Sequence, residues 1–201
     1  MRAILSLLVL IMLLVAPNTT APERGHIKNY KVSDQIHFEH STNRHIVLRG
    51  MWTIPPDIVV CDNVVSDLRI RRAVNFWERL GYSFGTVTKD NDPLRCQKKE
   101  IGKIKIMLPS SSTPMENNLA ITNTERLAAT NENITAVIII HSFAVEKPLV
   151  LEHEIGHALG WLHTTKYGHL MNPQVERIGH DTTGLKYRDY IRLGQEIVNL
   201  Q

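Results

Sequence analysis

Cysteine is scarce in this chain: Cys61 and Cys96 are the only two among 201 residues. Two thiols exclude both a disulfide-dense scaffold and a four-cysteine metal site. Charge of one sign is also lacking, since 23 Lys and Arg face 20 Asp and Glu, a net +3. The basic residues form no block, so the charge has no face and nucleic acid is not the expected partner. Internal repeats and low-complexity tracts are absent, and 43% hydrophobic with 21% charged residues is ordinary globular composition. Long apolar runs are missing too, with one exception at the N-terminus.

That exception spans residues 4–16 and follows Arg2. About 13 apolar residues are too few to cross a bilayer comfortably but suit the core of a signal peptide. The expected organisation is a signal peptide over residues 1–21, an N-terminal extension or short pro-segment over 22–50, and one domain over 51–201. The extension is polar and carries His26, His37, His40 and His45. Export implies a secreted, extracellular protein, or a periplasmic one in a bacterium, with no stable membrane association once the signal is removed. An oxidising compartment favours a Cys61–Cys96 disulfide over two separate buried thiols. Asn133-Ile134-Thr135 forms a glycosylation sequon, which matters only in a host that glycosylates.

Residues 54–60, 84–88, 102–108 and 134–140 read as strands. Alternation of Lys103, Ile104, Lys105 and Ile106 predicts a half-buried strand, and the continuous run 134–140 predicts a central one. Ile70, Ala73, Val74, Trp77 and Leu80 recur at helical spacing, with Ser66 as cap and Gly81 as stop. A second helix runs from Pro148 through Leu159, and a last one covers residues 187–200. Between residues 109 and 133 the sequence reads as a long surface loop, with a short strand at residues 127–129.

Residues 153–163 read HEIGHALGWLH. On a helix, His153 and His157 share one face and can reach one metal ion. Gly160 can end that helix in the left-handed conformation and return His163 toward the pair. Three neutral imidazoles with an open fourth position make a catalytic zinc site, and Glu154 is placed to take a proton from water.

This HExxHxxGxxH run resembles the zinc signature of the metzincin metalloendopeptidases. Met171, in Gly168-His169-Leu170-Met171-Asn172-Pro173, resembles the methionine turn of the matrixin branch. The resemblance implies an α+β zincin-like domain. It would hold a mixed twisted sheet of about five strands with an antiparallel edge strand, two long helices and a C-terminal helix. It further implies one Zn2+ held by His153, His157 and His163, with Met171 as a floor. Glu154 would be the general base for a metal-activated water that hydrolyses peptide bonds, in a monomer acting on protein or peptide substrates. Residues 127–129 would be the sheet edge that pairs with an extended substrate, and residues 173–175 would wall the pocket.

Departures accompany the resemblance. A cysteine-switch motif is missing, and Pro93-Leu94-Arg95-Cys96 is a poor match inside the domain. The histidine- and aspartate-rich loop that holds further ions in matrixins is also missing, and Thr164 stands where matrixins usually have Ser. The sequence keeps two rival readings. One is a gluzincin-type peptidase with Glu176 as third ligand, 19 residues after His157. The other is a non-catalytic zinc-binding module, against which the retained Glu154 argues. His141, His169 and His180 are further candidates only through nearness in sequence.

Overall fold

A computed structural model describes residues 46–199. The expected signal peptide, most of the extension and its four histidines lie outside the described residues.

Five strands build one sheet: β1 (Asp57–Cys61), β2 (Val87–Asp90), β3 (Lys103–Met107), β4 (Ala120–Arg126) and β5 (Asn133–Ile140). Their spatial order is β2-β1-β3-β5-β4, with β4 antiparallel to β5 and every other pairing parallel. This is the expected mixed sheet with an antiparallel edge. Helices α1 (Asp67–Glu78) and α4 (Val150–Leu159) share a core with Ile58, Val60, Ile104, Ile106 and Ile138. Two short helices, α2 (Pro93–Gln97) and α3 (Ser142–Val145), carry no signal in the sequence pattern, and α5 (Tyr187–Asn199) closes the fold. Ser66 caps α1 as the sequence implies, its side chain accepting from the Arg69 N–H.

The strand expected at residues 127–129 lies elsewhere. The edge strand is β4, and Leu127 already enters the turn, its N–H donating to the Glu132 carbonyl. The stretch 120–126 (AITNTER) has few apolar residues because an edge strand buries one side only. Strand β2 likewise starts at Val87 rather than Phe84, because the Asp57 carboxylate takes the Thr86 N–H just before it.

Strand β3 is covered on both faces, so its lysines are not equivalent. Ile104 and Ile106 face α1 and α4, whereas Lys105 faces the opposite side and is only 1% exposed. Its ammonium donates to the carbonyls of Arg95 and Lys98 around α2 and pairs with Glu100 at 2.7 Å. On that same side Val59 and Met107 pack around a disulfide joining Cys61 to Cys96, with Cα atoms 5.9 Å apart. Closing that loop stabilises the fold by about 4 kcal/mol in the chain-entropy view. The sequon residue Asn133 begins β5 at 2% exposure, and its Nδ2 donates to the Leu159 carbonyl at 3.1 Å. A glycan cannot attach to this buried amide in the folded chain.

Candidate metal centre

Helix α4 is buried along all ten residues, so no carbonyl at its C-terminal end can turn to water. Side chains from distant segments supply the donors instead. Trp52 Nε1 donates to the Ala158 carbonyl at 2.8 Å, and Tyr190 Oη donates to the Leu159 carbonyl at 3.0 Å. Gly160 ends the helix with φ of 110°, as the sequence implies. A Cβ there would meet the Gly50 carbonyl oxygen at 2.0 Å, so both backbone conformation and space demand glycine. Gly156 has a different reason. It lies mid-helix, where a Cβ would stand 2.5 Å from the Met171 sulfur and 2.9 Å from the Trp77 ring. Met171 is fully buried under the helix, and its carbonyl accepts from Thr164 N–H at 2.9 Å.

The turn at Gly160 brings His163 back to α4. His153, His157 and His163 are all buried, and they form the one group of metal-capable side chains among the described residues. Their Nε2 atoms lie 3.0 Å (His157 to His153), 2.9 Å (His157 to His163) and 3.3 Å (His163 to His153) apart. His153 Nδ1 donates to the Leu170 carbonyl at 2.8 Å, and His157 Nδ1 to the Trp161 carbonyl at 2.7 Å. A carbonyl only accepts, so those two Nδ1 atoms carry the protons and both Nε2 atoms present lone pairs. Two lone pairs 3.0 Å apart repel unless a cation lies between them. Tetrahedral zinc ligated at about 2.0–2.1 Å spaces its nitrogens by about 3.3 Å, so the donor set fits that ion.

Burial also prepares the imidazoles as neutral ligands. It brings His153 down to about 4 and His163 to about 3, and holds His157 well below its usual value. Glu154 responds in the opposite sense. Burial pushes its carboxyl up to about 7, opposed by a hydrogen bond from the Thr122 hydroxyl to Oε2 at 2.5 Å. A dication on the neighbouring histidines would pull it back down.

A cleft of about 800 Å³ runs along β4 past these groups. Glu154 and the three histidines line it, as do Leu119 to Asn123 on one side and Pro173 to Glu176 with Ile178 on the other. Pro173, Gln174 and Val175 thus border the cleft, and the 3₁₀ turn Val175–Arg177 begins there. Glu176 belongs to that side of the cleft, is exposed, and is not part of the histidine group. His169 instead braces the methionine turn: its Nδ1 accepts from the Met171 N–H at 3.1 Å and its Nε2 donates to the Thr183 carbonyl at 3.0 Å. His141 stacks on Phe143, and neither His141 nor His180 lines the cleft. Thr122 is the contact that sequence reasoning missed. Its only signal is a place on the edge strand, and the sequence pattern puts that strand at the wrong residues.

No curated protein matches the chain. The matrixin family model matches residues 33–195, which takes in every described strand, the histidine group and the methionine turn. Zinc is the ion that family uses, and its members act on peptide or protein substrates. With the match spanning most of its length and the three histidines gathered as a candidate zinc site, the chain belongs to the matrixin family of zinc metallopeptidases.

Proposed function

We propose that this protein is a secreted, monomeric zinc endopeptidase in which His153, His157 and His163 hold the ion and Glu154 moves the proton. The observation that carries this reading is the convergence of the three Nε2 atoms beside a buried carboxylate on an open cleft. Zinc bound there would supply Lewis-acid polarisation of the scissile carbonyl and a lowered pKa for water. Edge strand β4 presents the outer side of its backbone to an extended peptide, which aligns the bond to be cut with Glu154. Glu154 accepts a proton from water as the carbonyl carbon is attacked and then passes it to the leaving amine. The Thr122 hydroxyl holds the carboxylate in one orientation through both transfers.

Secretion is supported by the apolar run at residues 4–16, the Cys61–Cys96 disulfide and the extracellular habit of matrixins. No described helix is long and apolar enough to cross a membrane.

The test is zinc content and peptide cleavage of the purified chain beside Glu154→Gln and His163→Ala. Expected are one zinc per wild-type chain with cleavage, zinc without cleavage in Glu154→Gln, and lost zinc in His163→Ala. Zinc and activity surviving in His163→Ala would remove the third ligand. A wild type that holds zinc and cuts no peptide of a broad library would move the non-catalytic reading ahead.

A further inference from the structure

Along β4, Ala120, Thr122 and Thr124 share one face by the two-residue repeat of a strand, and Arg126, past a register irregularity after Glu125, lines the same recess as Thr124. Thr122 lies against Glu154, and Arg126 stands four residues further, roughly 13 Å along the strand. There it meets the N-terminal segment, its Nη1 donating to the Arg49 carbonyl at 2.8 Å. Neither Arg49 nor Arg126 has an ion-pair partner among the described residues. Burial first, and the positive charge of Arg49 second, hold the Arg126 guanidinium below its usual value. Both arginines line a small recess with Thr124, Asn133 and His157, and His157 also borders the main cleft.

The recess holds a second unmet demand. Asn133 is 2% exposed, and its Oδ1 has no hydrogen-bond partner among the described residues. The donation from Nδ2 to the Leu159 carbonyl fixes the amide orientation, so an acceptor is left over. Packing accounts for the stem of Arg126, whose Cδ lies over Gly50. It does not account for two cations brought together without a carboxylate, an arrangement that opposes folding. The cleft carboxylates Glu116 and Glu176 do not line this recess.

Resting on the peptidase reading above, we propose that Arg49 and Arg126 form a subsite for an acidic side chain of the substrate, three or four residues from the bond that is cut. An extended peptide paired with β4 advances about 3.3–3.4 Å per residue, which covers the span from Glu154 to Arg126 in that many steps. An Asp or Glu in that place offers carboxylate oxygens to the two guanidiniums. Its charge-assisted bonds form in a partly desolvated corner, where they are stronger than on an open surface.

The experiment uses peptides that differ at one position, carrying Glu, Gln or Lys, scanned two to five residues away on each side of the cut bond. At one position Glu should exceed Gln in kcat/KM by roughly tenfold, the gain of a hydrogen bond to a charged group. Arg49→Glu should reverse that preference toward Lys. Arg49 is exposed, so this variant is expected to fold. Arg126→Gln serves as the second variant and should lower the Glu preference. Equal cleavage of Glu and Gln peptides, unchanged in Arg49→Glu, would overturn the subsite and leave the peptidase intact. If the wild type cuts no peptide, the peptidase reading fails, and binding of labelled Glu and Gln peptides to Glu154→Gln protein still decides the subsite. Tighter Glu binding that Arg49→Glu abolishes supports it, and equal binding removes it.

Discussion

A single hydroxyl decides how Glu154 is held. Thr122 is the one side-chain hydrogen-bond donor to its carboxylate among the described residues, and that bond opposes the upward push of burial. Replacing it with the near-isosteric valine removes the donor and keeps the volume. Glu154 in Thr122→Val should then hold its proton to higher pH, so the acid limb of the kcat/KM profile moves toward neutrality and kcat/KM near pH 6 falls severalfold. An unmoved acid limb would show that Thr122 only packs. The three histidines, by contrast, are legible without a structure. Their spacing places two on one helix face, and Gly160 supplies the return of the third. Thr122 is hidden because its partner lies 32 residues away, across a strand whose position the sequence does not reveal. Lys105 is hidden for a related reason: alternation implies a solvent face, and α2 turns that face into an interior.

At the scale of elements, α4 is anchored at its start by ions as well as by packing. Arg69 of α1 makes a fork-like pair with Glu152, both bonds 2.7 Å, and its Nε donates to the Val145 carbonyl at 2.9 Å. Both side chains are less than a tenth exposed. Glu152 directly precedes the first histidine, so the pair sets how α4 enters the site. Arg69→Met leaves a buried carboxylate without its counter-charge, which costs about 3–5 kcal/mol. Chemical denaturation should show a loss of that size, and zinc affinity should fall as α4 loosens. The double variant Arg69→Met with Glu152→Met should recover much of the stability, because the stranded charge is gone. A single variant as stable as wild type would refute this account. Helical spacing announces α1 and α4 as elements. Their joining by ions is not announced, since Arg69 and Glu152 read in sequence as ordinary solvent-facing charges.

Over the whole molecule, the site opposes acid through the neutrality that burial imposes on its histidines. In the zinc-free chain His153, His157 and His163 are held below their usual value of 6.5, the first to about 4 and the last to about 3. The unfolded chain takes up a proton at each of them as pH drops through about 6.5, and the folded chain does not. Glu154 works the other way. Raised to about 7, it keeps a proton in the folded state down to the carboxyl's usual value of 4.5, where the unfolded chain has none. Between pH 4.5 and 6.5 three protons on the unfolded side therefore outweigh one on the folded side, and His169, also lowered, adds to the larger number. Stability must fall as pH falls across that window, by about 1.4 kcal/mol per pH unit for each uncompensated proton. Zinc adds about 4 kcal/mol at a thousandfold excess over Kd, and because burial keeps the folded imidazoles neutral down to about 4, that increment holds across the window. Thermal unfolding of zinc-stripped protein should give a midpoint that rises from pH 4.5 to 6.5, and added zinc should raise it at both ends of that window and lose its effect as pH falls through about 4. A zinc increment that disappears already as pH falls through about 6.5 would mean that the ion sits elsewhere than on these three buried histidines. The N-terminal segment belongs to the same scale and is the least legible part. Leu48 bridges Trp161, and Met51 packs on Gly194, yet the apolar residues here fall in two short runs, 46–48 and 51–52, with no helical or strand period. Because that segment closes over Gly160 and the return to His163, the acid transition that frees the histidines should release it together with the rest of the domain. One cooperative step by both tryptophan fluorescence and far-UV circular dichroism is the expected result, and an earlier fluorescence step would show the segment detaching on its own.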